Sequence, residues 1–164
     1  MWSWFTFFLI GHILAAIVAF GPAFSFALIA AQGQKQPQHA VFAAEMIHTL
    51  SARVVIPVAL VVGVFGIGLI FTAHVDLWHS EWLLIALALY IAALTFSIAV
   101  QPPRGGKLAE LLSAMPPGPP PPGAAPPAEI VRTAKQLQFG GMYLTISVVA
   151  IVVLMVWKPG AAFN

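Results

Sequence analysis

Four apolar stretches, each long enough to cross a lipid bilayer, dictate what this chain can fold into. They run from about Trp4 to Ala31, Leu50 to Ala73, Trp82 to Val100 and Leu137 to Trp157. A hydrocarbon core of ~30 Å needs about 20 apolar residues in helical form. Inside lipid, only a helix satisfies all of its backbone polar groups within one segment, so spans of this length are helices and not barrel strands. Charge is correspondingly scarce: 60% of the 164 residues are hydrophobic and 7% are charged. A soluble domain carries about 25% charged residues, far more than this chain has to cover a surface. The expected fold is therefore all-α, a single polytopic membrane domain over 1–164 built as a four-transmembrane-helix bundle.

The first stretch could be mistaken for a secretory signal, because Ala23-Phe24-Ser25-Phe26-Ala27 resembles a cleavage site. Such signals open with a positive segment, and Met1-Trp2-Ser3 carries no charge, so the stretch is expected to be a membrane helix.

Charge sorts between the two ends of the bundle. Lys35, Arg53, Arg104, Lys107, Arg132 and Lys135 fall at one end, whereas the other has Asp76 and Glu81 in a short loop and Lys158 as its basic residue. The positive-inside rule makes the basic end cytoplasmic and puts both termini outside. Trp2, Trp4, Trp78, Trp82 and Trp157 all gather at the opposite end, as an interfacial aromatic belt would place them. A net charge of +2 is too small to suggest nucleic-acid binding and suits anionic lipid headgroups. With no cysteine, thiolate metal sites and cysteine nucleophiles are excluded.

The connection after the third span has two parts. Leu108, Leu111, Leu112 and Met115 recur at helical spacing, predicting a short amphipathic helix over about 107–115 on the membrane surface. The tract 116–127, PPGPPPPGAAPP, favours extended polyproline II and reads as a spacer, with docking of an SH3-like partner as the alternative. Gly11, Ala15, Ala19 and Ala23 recur every four residues, and Ala59, Gly63 and Gly66 play a similar part on the second span. Small residues at this spacing let helix backbones approach closely. Pro22 and Pro57 are expected to kink their helices.

His12 is the sharpest candidate for chemistry. It lies about eight residues into the first span, ~12 Å below the outer edge at 1.5 Å per residue. An ionisable side chain at that depth is a functional hypothesis by default. Three readings stand: an interhelical hydrogen bond to Tyr90 or to a backbone carbonyl, ligation of haem iron or another metal, and proton transfer. Counting inward gives Gly66, Tyr90 and Val149 as the residues level with it, and no second histidine. Near the basic end, Arg53 stands at a depth similar to Glu45, His48, Gln101 and Gln138, which could form a polar cluster or leave Arg53 to snorkel. In the outer loop His74, Asp76 and His79, beside Glu81, offer nitrogen and carboxylate donors to zinc or copper. There is no P-loop, GxSxG or HExxH, and no pair of intramembrane carboxylates.

Gly11-His12-Ile13-Leu14-Ala15, Arg53-Val54-Val55-Ile56-Pro57, Trp82-Leu83-Leu84 through Tyr90, and Met155-Val156-Trp157-Lys158-Pro159 together resemble an uncharacterised family of small four-helix bacterial membrane proteins. That family is distantly similar to the copper-resistance D type and to the haem-containing membrane protoporphyrinogen oxidases. The resemblance implies a first-helix histidine tied to haem, which His12 matches. The oxidases also use a lysine in the third helix, and 82–100 contains none. The expectation is a non-catalytic membrane protein, either an accessory subunit of a larger complex or a small-ligand-binding bundle, with other membrane subunits or a homo-oligomer as partners. The alternative is a protein that binds b-type haem through His12.

Overall fold

The computed structural model describes residues 3–116 and 125–159, and these are helical throughout apart from short turns. Helix α1 covers Trp4–Lys35 and starts on a Ser3 cap that accepts from the Thr6 amide. A 3₁₀ turn, Pro37–His39, leads into α2, Ala40–Leu50. A π turn, Ser51–Val55, joins α2 to α3, Ile56–Thr72, without breaking the rod. Helix α4 is Glu81–Ala99, α5 is Gln101–Ser113 and α6 is Ala128–Trp157. Counting rods, four are long and apolar enough to cross a membrane, as the hydropathy requires. Trp2 and most of the proline-rich tract lie outside the described residues.

The rods are longer than the apolar spans, and the excess lies at the basic end. The second and third rods run Pro37–Thr72 and Glu81–Ser113, or 36 and 33 residues. At 1.5 Å per residue such rods reach about 50 Å, well beyond a ~30 Å hydrocarbon core. Hydropathy ends where lipid ends, but a helix continues while its backbone bonds and packing are favourable.

The two prolines differ in effect. Helix α1 continues through Pro22, whereas Pro57 follows the π turn directly. Proline cannot donate to the carbonyl four residues back, and the ladder re-registers ahead of it, with the Ile56 amide bonding Ser51 O. The expected surface helix at 107–115 is part of a longer one. It begins at Gln101 because Pro102 and Pro103 sit in its first turn, where no backbone donor is needed. Helix α5 packs on α2 and α6, with Leu108, Leu111 and Leu112 half-buried and Met115 exposed.

Packing is most extensive between α1 and α3, then between α4 and α6. Ala15, Ala19, Ala59 and Val62 form the buried core of the first pair, so the small-residue ridge does bring two backbones together. Aromatic rings lock into glycine notches on both sides: Phe65 covers Gly11, and Phe8 covers Gly68. In the second pair, Leu83, Ala86 and Ala93 of α4 and Gly140 and Ser147 of α6 are buried, and Phe96 meets Tyr143 edge to face at 5.1 Å. Trp4, Trp78, Trp82 and Trp157 all stand at the end opposite the basic loops, where Lys158 lies 5.5 Å from the centre of the Trp82 ring.

Candidate functional site

Two polar side chains inside the apolar spans reach across to the backbone of α3. His12 Nδ1 lies 2.9 Å from Val62 O, and Tyr90 donates its hydroxyl to Ala59 O at 2.8 Å. Both depend on glycine. A Cβ at Gly66 would stand 3.3 Å from His12 Cε1, and one at Gly63 would overlap the Tyr90 hydroxyl. The imidazole and the phenol therefore lie in two notches about one turn apart on the same helix.

The chemistry of the His12 contact is fixed by its partner. A carbonyl oxygen can only accept, so Nδ1 carries a proton, and in the Nδ1–H tautomer the free lone pair is on Nε2. Gly66, level with His12 by helical rise, is in contact with it. Tyr90 was counted to the same level, but it bonds a carbonyl three residues nearer the basic end and does not join His12. Val62 and Ala59, the residues that supply the acceptors, are both buried.

The outer-loop residues assemble only in part. His79 Nδ1 lies 2.7 Å from Asp76 Oδ2, and Asp76 Oδ1 accepts from the Trp78 and His79 amides at 3.1 and 3.4 Å. The His79 side-chain hydrogen bond, with help from those amides, holds the Asp76 carboxyl below the usual aspartate range. His74 stands apart in a left-handed conformation with φ 50°. Among the described residues, no three histidine, aspartate or glutamate side chains converge to hold a metal ion. The reason is backbone geometry: Asp76 spends its oxygens on capping its own turn.

The polar residues grouped around Arg53 also separate. His48 sits against Gly105 and Gly106 of α5, with Nδ1 buried and without a hydrogen-bond partner among the described residues. Gln101 sits against Gly140 of α6, with Oε1 likewise buried and without a partner among the described residues. Glu45, Arg53 and Gln138 are exposed on the outside of the bundle. Sharing a depth was not enough, because these residues point from different faces of their helices. The sequence reasoning missed the bridge from Lys107 Nζ to Glu129 Oε1, 2.6 Å long, which ties α5 to α6. Opposite charges flanking the proline-rich tract were the signal available for it.

With that geometry established, comparison with known families places the chain. Residues 7–159 match the sequence model of a family described as a predicted integral membrane protein (DUF2269), and the chain belongs to that family. Searches of curated proteins and of solved structures gave no match.

Proposed function

We propose that this chain is a non-catalytic component of a larger membrane assembly, seated in a bacterial cytoplasmic membrane with both termini outside. The observation that carries the reading is the use of His12 and Tyr90: each is committed to an α3 carbonyl inside a glycine notch. Polar groups used this way hold helices together, which accounts for both side chains without a reaction. The orientation is supported by the basic residues gathered at one end and the tryptophans at the other. The test is extraction in mild detergent followed by sizing with in-membrane crosslinking. The proposal expects a complex well above the 17.5 kDa chain, with a stoichiometric partner or further copies. A lone monomer under both methods would sink it. A cytoplasmic reporter fused after Asn164 should be inactive, and an active one would reverse the topology.

One observation favours a second reading, a b-type haem protein with His12 as axial ligand. A ligating histidine usually donates its other ring nitrogen to a carbonyl or carboxylate, which orients the ring and fixes the tautomer. The His12–Val62 contact has that form and leaves Nε2 as the ligand atom. Resemblance to the oxidases, with their first-helix histidine, points the same way. An absorption spectrum of the purified protein separates the readings. A Soret band that vanishes in His12→Ala would replace the first reading with the second, and a protein without haem absorbance would remove the second.

A further inference from the structure

At the basic end, α5 and α6 enclose a cleft of about 290 Å³ lined by Arg104, Lys107, Glu129, Arg132, Thr133 and Gln136. Three of these side chains are cationic and one is anionic. Lys107 is bound to Glu129, and among the described residues neither Arg104 nor Arg132 has a carboxylate within ion-pair distance. Two guanidinium groups thus line one concave surface without a direct ion pair, Arg132 feeling Glu129 only at longer range, and the cleft carries more positive than negative charge. Guanidinium is the side chain best matched to phosphate, because its planar fork donates two parallel hydrogen bonds. Helix α6 begins in the same place, at Ala128, and among the described residues no side chain caps its first turn. Its free amides add to the positive field.

The position of the cleft narrows the ligand further. Thr133 and Gln136 stand within about one turn of Leu137, where the apolar span of α6 starts. This is the level of bilayer headgroups, and basic clefts between membrane helices are suited to anionic heads. A phosphate seated there would also offset the cleft's excess of positive charge.

We infer that the α5–α6 cleft binds a phosphate group, gripped by Arg104 and Arg132, from an anionic lipid head or a soluble phosphate. The full chain in nanodiscs tests this, using phosphatidylcholine alone, phosphatidylcholine with phosphatidylglycerol, and phosphatidylcholine with added inorganic phosphate. Native mass spectrometry reads retained lipid, and thermal unfolding at matched ionic strength reads stabilisation. A lipid source predicts retained phosphatidylglycerol, and a soluble source predicts stabilisation by inorganic phosphate without it. In either case Arg104→Gln or Arg132→Gln should weaken binding about tenfold, the loss of one charge-assisted hydrogen bond. Lys35→Gln, at the same end but outside the cleft, should leave binding unchanged. Glu129→Gln removes the competing anion and should strengthen binding, so the proposal survives even if an arginine variant folds poorly. Equal losses in Lys35→Gln, weaker binding in Glu129→Gln, or no response to either phosphate source would overturn it.

Discussion

His12 and His48 occupy similar places in different parts of the bundle, and their fates differ. Each lies against glycine on a neighbouring helix, His12 on Gly66 of α3 and His48 on Gly105 of α5. His12 Nδ1 finds the Val62 carbonyl at 2.9 Å, whereas His48 Nδ1 is buried without a partner among the described residues. In a low-dielectric interior that difference decides whether a histidine stabilises its contact or strains it. A satisfied bond across membrane helices is worth about 0.6 kcal/mol on average, and an unsatisfied buried polar atom costs about 1–3 kcal/mol. Closeness to a glycine backbone therefore does not make an imidazole useful. The neighbour must also offer an acceptor in line with the ring.

The largest expected effect comes from closing a notch. In Gly63→Ala the new methyl overlaps the Tyr90 hydroxyl, so the phenol must move and release Ala59 O. Overpacking of this kind costs about 1–3 kcal/mol. The matched control is Gly21→Ala on α1, where no atom stands within 4 Å of the new carbon. There, alanine should instead gain up to about 1 kcal/mol through helix propensity. Reversible unfolding in mixed micelles measures both variants. Equal responses at the two sites would show that the Gly63 notch does not hold the α3–α4 contact.

Much of this contrast could be anticipated from sequence, and the part that could not has a geometric cause. Helical rise converts residue number into depth, and that alone puts His12 level with Gly66, which it touches. Depth says nothing about which way a side chain points around its helix. Arg53, Glu45 and Gln138 were therefore grouped with His48 and Gln101 although they lie on outer faces. The small-residue ridge was legible because it repeats every four residues, and Ala15 and Ala19 are buried as that pattern demands. The extension of the rods past the hydrocarbon was not, since polar helix and polar loop look alike to hydropathy. Pro102-Pro103 reads as a breaker in isolation but opens α5 in context.

The two histidines can next be compared through the same substitution. His12→Leu keeps most of the packing volume and removes the bond to Val62 O, so stability should fall by about 1 kcal/mol. His48→Leu removes an atom that has no partner, and stability should hold or rise by up to about 1 kcal/mol. The same unfolding assay reads both. If His48→Leu costs as much as His12→Leu, then His48 has a partner in the membrane and the distinction collapses.

A third histidine gives the smallest effect and shows what water does to the same kind of contact. His79 and Asp76 are hydrogen bonded at 2.7 Å, yet both side chains are largely exposed, so solvent screens their attraction. The measurable consequence is in titration. The Asp76 carboxyl is held below its ordinary range by the His79 side chain and the two capping amides. A depressed carboxyl favours the folded turn only while ionised. Its contribution is complete above the ordinary aspartate value of about 3.9 and is lost as pH falls through the lowered folded value. The Trp78 and His79 amide resonances should therefore shift together with a midpoint below that value. In Asp76→Asn this transition should disappear, while global unfolding of the bundle stays the same. A midpoint at or above the ordinary value would mean that the turn does not favour the charged carboxylate.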